Sequence, residues 1–274
     1  MESPSILPVS DGSGRVLGVR STGEGSPVLL VNGYSGTSSD WDPTFLATLG
    51  TSRAVVAPDH QGMGASTPGD LSTVSIDSMA DDLVVVLDSL GFDQVPVVGW
   101  SMGGMVAQSL AVRHPDRVSA LVLLGTDGGG PDAFVADPGV WARLIDHSGS
   151  PRQQATRMLS LLFPPQVAVE IDRQFGELVA EARAALSTDV LTAQERSIDA
   201  WHAKVPDRLP TPVRPVMVAT GADDMVIPPA NADLMAVRWG ATTVERFSGC
   251  GHAFMAQEPV RLGRLITRFL GSYL

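Results

Sequence analysis

Three residue groups far apart in the 274-residue chain could together perform nucleophilic chemistry. The first is Gly99-Trp100-Ser101-Met102-Gly103, followed by Gly104. A serine hydroxyl is a weak nucleophile at neutral pH and needs a base to take its proton. Of the five histidines, His252 in Gly249-Cys250-Gly251-His252 is the best placed to serve, in a loop past a strand-like run and ahead of the last helix. His60 lies in a comparable loop, Asp59–Ser66. His114 reads as a surface or capping residue beside Pro115. His147 and His202 fall in helical patterns and are expected to face solvent. A neutral imidazole in turn needs a carboxylate to hold its tautomer and stabilise its cation. Asp223 and Asp224 both follow the apolar run Val216–Ala219, and Asp127, just past Leu124, competes for the same role.

The elements around these residues are those that could bring them together. Pro27–Val31, Ala54–Ala57, Val95–Val98, Leu121–Leu124, Val216–Ala219 and the shorter Val244–Phe247 are near-continuous apolar runs. Such runs suit strands of a parallel sheet covered on both faces. Arg15–Arg20 fits an antiparallel edge strand. Between them, Ile76–Leu90 carries apolar residues at helical spacing and stops at Gly91, and Met102–Arg113 ends ahead of Pro115. Ala230–Trp239 and Glu258–Leu270 complete the set. This alternation is that of a doubly wound α/β fold. Ser101 thus stands where a strand turns sharply into a helix. There a strained backbone exposes the side chain, flanking glycines permit close approach, and the helix N-terminus favours developing negative charge.

The alternation stops between Asp127 and Pro215. Val140–His147, Arg152–Phe163, Val167–Leu186 and Ala193–Lys204 read as helices, with Ser150 and Thr192 as N-caps and Pro206, Pro210, Pro212 and Pro215 marking the return. The expected division is a core of residues 1–126 and 208–274 with an all-helical insert at 127–207.

Composition removes several classes of function. The formal charge is −11, from 30 acidic and 19 basic residues, with no basic cluster, which argues against nucleic acid and membrane surfaces as partners. The single cysteine, Cys250, excludes an internal disulfide and a cysteine-based zinc site. No apolar run is long enough to span a bilayer. Met1–Pro8 lacks the features of a secretion signal, so a cytoplasmic location is expected.

Taken together, these motifs resemble the alpha/beta-hydrolase superfamily over nearly the whole chain. Ser101, then Asp224, then His252 follow its order of nucleophile, acid and base. Gly221, Asp224 and Pro228 fit its acid loop, so the resemblance selects Asp224 over Asp223, and Gly251-His252 fits its closing pair. Asp59–Ser66 is similar to its Asp-x-Arg-Gly-x-Gly-x-Ser loop, with Gln61 at the arginine position, which makes His60 structural. The insert corresponds to the family's cap after strand six. The resemblance also implies an oxyanion hole from the backbone N–H groups of Met102 and Tyr34. Asn32 stands where the family usually has histidine.

What the resemblance implies is a serine hydrolase acting on a carboxylic ester or lactone, with no cofactor and no metal. A small-molecule substrate is the expected partner, and a homodimer stays open. Trp100, Trp141, Val226 and Phe254 are the candidate substrate contacts. Cap residues Phe134, Leu144, Met158, Leu161, Leu162 and Phe163 add to an apolar roof, which favours a small to medium, largely apolar substrate. Arg143, Arg152 and Arg157 are the cap's candidates for holding a substrate carboxylate. Serine at position 101 disfavours the alkyl-enzyme route of aspartate-bearing relatives. Cofactor-free haloperoxidase or perhydrolase activity, carbon–carbon bond hydrolysis and acyl transfer are alternatives on the same site. Trp100 and Tyr34-Ser35-Gly36 fit carbon–carbon hydrolases poorly. A ligand-binding receptor on the hydrolase fold is the non-enzymatic alternative.

Overall fold

The computed structural model describes residues 5–10, 12, 14–204 and 215–272. Eight strands form one sheet: β1 (Ser5–Ser10), β2 (Val16–Thr22), β3 (Ser26–Val31), β4 (Arg53–Pro58), β5 (Val95–Trp100), β6 (Val118–Leu124), β7 (Val216–Gly221) and β8 (Thr243–Phe247). Their spatial order is β1-β2-β4-β3-β5-β6-β7-β8. From β4 to β8 every pairing is parallel, whereas β2 runs antiparallel to both β1 and β4. The antiparallel strand expected near residues 15–20 is therefore present but is not the edge. β1 covers it, and the sequence Ser5–Ser10 alternates too weakly to announce itself.

Helices cover both faces, and the strands divide their side chains between them. Leu29 and Val31 point into a core with α2 (Ile76–Leu90), α3 (Met102–Arg113) and α8 (Asn231–Trp239). Val28 and Leu30 point the other way, toward α1 (Pro43–Gly50) and α10 (Pro259–Gly271). Burial on both faces explains the lack of polar alternation in these strands. Two helices have no counterpart in the sequence pattern: α1, whose eight residues begin behind the N-cap Asp42, and the single turn α9 (Phe254–Gln257).

The insert after β6 holds four helices among the described residues: α4 (Pro138–Leu144), α5 (Pro151–Leu162), α6 (Pro165–Ala184) and α7 (Thr188–Ala203). Ser150 caps α5 in a reciprocal pair with Gln153. Thr192 is not an N-cap. It lies inside α7, which starts a turn earlier behind Ser187 without a side-chain cap bond. The expected boundary at 207/208 and the prolines 206, 210 and 212 lie outside the described residues. No helix among the described residues is long and apolar enough to cross a membrane.

Candidate active site

β5 ends at Trp100 and α3 begins at Met102, so the chain must reverse within Ser101. It does so at φ 57° and ψ −125°, a left-handed backbone that costs a non-glycine residue roughly 1–3 kcal/mol. The turn packs so closely that a Cβ on Gly103 would lie 2.1 Å from the Val31 carbonyl oxygen, and one on Gly99 2.4 Å from that of Gly103. Two bonds pin the strained residue from β6 and its following loop. Ser101 N–H donates to the Leu124 carbonyl at 2.9 Å, and Thr126 Oγ1 donates to the Ser101 carbonyl at 2.8 Å. The serine side chain makes no capping bond to α3.

Asp224 follows β7 and His252 follows β8, and the two are joined by a buried 2.7 Å hydrogen bond from His252 Nδ1–H to Asp224 Oδ2. The other carboxylate oxygen accepts from Val226 N and Ile227 N, at 2.8 and 2.9 Å. These bonds fix the carboxylate before it meets the ring. With Nδ1 committed, Nε2 is the ring nitrogen left for a reacting group. Trp100 braces the imidazole from the serine side. The two rings lie 39° from parallel with centroids 5.2 Å apart, and Trp100 Nε1–H donates to the His252 carbonyl at 3.1 Å. A Cβ on Gly125 would lie 3.4 Å from Asp224 Oδ2 and 3.5 Å from His252 Nδ1. The three-residue segment Leu124–Thr126 thus touches both the serine backbone and the His–Asp pair.

The loop after β3 passes directly over the serine. A Cβ on Gly33 would meet Ser101 Cβ at 3.0 Å and Trp100 at 3.3 Å, so a larger residue would crowd the elbow. Asn32 builds the loop. Its Oδ1 accepts from Gly33 N–H at 2.8 Å and its Nδ2 donates to the Thr37 carbonyl at 2.5 Å. His60, fully buried, donates Nε2–H to the Asn32 carbonyl at 2.9 Å, and burial lowers its pKa despite that bond. The ring is therefore a neutral strut under the Asn32–Gly33 peptide. The cap grips the same loop from above: Tyr34 O–H donates to Glu195 Oε1 at 2.5 Å, and Ser35 N–H donates to Gln194 Oε1 at 2.9 Å. Burial, then the bond to Glu195, pushes the Tyr34 phenol far above its ordinary range. Ser35 sits at φ 58°, the other non-glycine residue at positive φ among those described.

Several expected placements differ. His147 does not face solvent: its Nε2 is 2.8 Å from Glu195 Oε1. His202 is also engaged, its Nε2 lying 3.1 Å from Asp127 Oδ2. Asp127, the competing acid, serves this second pair and takes no part in the first. Of the four candidate contacts, Trp100 borders the imidazole and Val226 supports Asp224, as described above. Phe254 is wholly buried, its ring tilted against that of Phe247 at 5.1 Å, and Trp141 packs half-buried in the cap. Phe134 points outward, 50% exposed. The three cap arginines are occupied, Arg143 by Ser160, Arg152 by Asp172 and Arg157 by the carbonyls of Asp146 and Ser148. Gln194, Glu195 and Arg183 went unnoticed because no spacing motif marks them. Only the fold brings α6 and α7 to the loop after β3.

A strained serine at the strand–helix elbow after β5, with a buried His–Asp pair from the ends of β8 and β7, defines the class of the molecule. Residues 26–259 match the family described as alpha/beta hydrolase fold, and the chain belongs to it. It is 30% identical over 284 residues to 2-hydroxymuconate semialdehyde hydrolase of Pseudomonas putida, covering 99% of this chain and 96% of that one. A Caulobacter segnis protein assigned as the carbamate hydrolase RutD is 29% identical over 259 residues, covering 89% and 90% of the two chains. Among solved structures, the esterase RhEst1 from Rhodococcus sp. superposes with a TM-score of 0.81 over 98% of this chain and all of the other, at 21% identity. Family and relatives mark the chain as a hydrolase.

Proposed function

We propose that the protein hydrolyses a carboxylic ester or lactone of small to medium size through a Ser101–His252–Asp224 triad. The observation that carries this reading is the pairing of a serine held at positive φ with a buried His252–Asp224 bond that leaves Nε2 unused. In the first half, Ser101 Oγ attacks the acyl carbon while its proton passes to His252 Nε2. Asp224 stabilises the imidazolium. The N–H groups of Tyr34 and Met102 hold the tetrahedral oxyanion, a contribution typically worth about 10²–10³ in rate for each donor. The proton then moves from His252 to the leaving alkoxide, the C–O bond breaks and an acyl-serine remains. A water molecule, deprotonated by His252, attacks the acyl carbon. Collapse returns the proton to Ser101 and releases the acid.

The test is labelling by a fluorophosphonate together with turnover of an aryl ester series. Labelling is expected at Ser101 and disappears in Ser101→Ala, whose kcat falls by roughly 10⁴–10⁶. An alanine variant with undiminished turnover defeats the proposal. A second reading, hydrolysis of a carbon–carbon bond beside a carbonyl, is favoured by the full-length likeness to 2-hydroxymuconate semialdehyde hydrolase. Turnover of a dienoic diketone that exceeds that of every aryl ester tried would establish it instead.

A further inference from the structure

The loop after β3 is bonded from two sides, the body at its shoulders and the cap at its apex. On the body side Asn32 closes on Gly33 and Thr37, His60 donates to the Asn32 carbonyl, and Ser38 N–H donates to Asp59 Oδ1 at 2.5 Å. Between these anchors the Gly33 carbonyl accepts from Gly36 N–H at 3.2 Å, so Gly33–Gly36 is a four-residue turn with Tyr34 and Ser35 at its centre. Among the described residues, every hydrogen bond made by Tyr34 and Ser35 goes to α7, from Tyr34 O–H to Glu195 and from Ser35 N–H to Gln194. The backbone N–H of Tyr34, the proposed oxyanion donor, makes none.

The grip from α7 matters because the turn is strained. Ser35 is its third residue and sits at φ 58°, a place that such turns give to glycine or asparagine. A serine stays there only where its surroundings over-determine the backbone. Gln194 supplies that constraint. It is 1% exposed, so water does not compete for its oxygen, and its bond fixes which way the Tyr34–Ser35 peptide faces. Without the bond the peptide is free to turn over, which returns Ser35 to negative φ and shifts Tyr34 with it. Burial and the Glu195 bond hold the Tyr34 phenol well above its ordinary range, so its hydroxyl keeps its proton and stays a donor. α7 is seated on the body by other bonds as well. Arg196 Nη2 donates to the Leu71 carbonyl at 2.7 Å, and Ser197 Oγ to the Val74 carbonyl at 3.1 Å. Loss of Gln194 alone therefore leaves the helix docked.

We propose that Gln194, with Glu195 beside it, is a positioning residue for the oxyanion hole: through these two side chains the cap sets Tyr34 N–H in register with the tetrahedral oxygen. Both act on the substrate only through the loop. The inference deepens the ester-hydrolase reading and rests on it. It couples the cap to the chemistry, because a lifted α7 leaves the site one oriented donor short.

The test is steady-state turnover of one aryl ester by variants along α7 and its loop, each with its melting temperature. Gln194→Met removes the acceptor at similar length and is expected to lower kcat by about 10–100-fold at nearly unchanged KM, short of the loss of a whole donor. Gln194→Glu keeps an oxygen in place, and the amide nitrogen it replaces has no acceptor among the described residues. It is expected to recover most of that rate, although a carboxyl group in so dry a setting lowers its melting temperature. Arg196→Met cuts the neighbouring bond to Leu71 and should leave kcat within about threefold of wild type. Tyr34→Phe loosens the same grip through Glu195 without altering Gln194, and should lower kcat by about 3–10-fold. An aryl boronic acid, whose tetrahedral serine adduct places an oxygen in the oxyanion position, should bind Gln194→Met more weakly by the factor that kcat/KM loses. Wild-type kcat in Gln194→Met overturns the proposal, as do rates that follow melting temperature across the set or a boronate affinity that does not move. Those results leave the triad standing so long as a fluorophosphonate labels Ser101 in wild type. Absence of that label strikes the triad reading and this inference with it.

Discussion

The described residues contain two histidine–aspartate pairs built on one plan, which differ in the ring nitrogen that meets the carboxylate. Asp224 and Asp127 each stand three residues beyond the end of a parallel strand, β7 and β6 respectively. Each uses one oxygen on N–H donors, Asp224 on Val226 and Ile227, Asp127 on Gly129 and Trp201 Nε1. Each offers the other oxygen to an imidazole. The difference lies in the histidines. His252 comes from the loop after β8 and binds through Nδ1, which leaves Nε2, the far end of the ring, outside the pair. His202 comes from the last turn of cap helix α7 and binds through Nε2, the far end of the ring. Its remaining nitrogen is the one nearest its own backbone. A carboxylate at a strand end is thus not enough. Which ring nitrogen it engages, and from which element the ring arrives, separates the proposed base from a tether.

Exchanging amide for carboxylate at each pair is the strongest test of this contrast. Asp224→Asn leaves the local N–H bonds acceptable but offers the imidazole the wrong tautomer, and kcat should fall by about 10⁴. Asp127→Asn should leave kcat within about threefold of wild type. Steady-state turnover of one aryl ester measures both. Equal losses would mean that the two pairs act as one system.

The same pair of variants separates on stability. Asp127 joins the body to the cap: its carboxylate meets Trp201 and His202 of α7, and its carbonyl accepts from Gln108 of α3. Losing the charge opposite His202, which is 25% exposed, should cost Asp127→Asn about 1 kcal/mol. In urea titration this appears as a lower midpoint at unchanged slope. A shallower slope would mean instead that the cap unfolds separately from the body.

That contrast also marks what could be read from the residues and what could not. The strands β3 to β8, the long helices and the turns that carry Ser101 and His252 are legible because each rests on local chemistry. Apolar runs make buried strands, helical spacing makes helices, and short motifs make tight turns. The edge strand β1 and the short α1 carry too little pattern over six and eight residues to stand out. Asp127 and Asp224 were rivals on placement, and only resemblance favoured Asp224 before the geometry separated their histidines. His147, His202, Gln194, Glu195 and Arg183 were illegible for a different reason. Their partners lie on the body or on another cap helix, up to about 160 positions away in the chain for Tyr34 and Glu195. A helix-face polar residue looks the same whether it meets water or a partner across an interface.

The weakest effect is the most specific to the second pair, because it depends on the charge of His202. Burial opposes that charge, but the hydrogen bond and charge of Asp127 outweigh it, so the folded pKa lies above the ordinary 6.5. A histidine whose pKa rises on folding stabilises the protein fully below its unfolded pKa, near 6.5, and loses that contribution as pH climbs through the folded value. His202 is 25% exposed, so solvent screens the pair and its worth is held to about 1 kcal/mol or less. Wild type should therefore exceed His202→Gln in unfolding free energy at pH 6, and the gap should close toward pH 9. The pH profile of kcat should be the same in both proteins, since the ring that titrates here does no proton transfer. A gap that widened with pH would mean that His202 is held neutral, and the tether would then be an ordinary hydrogen bond rather than an ion pair.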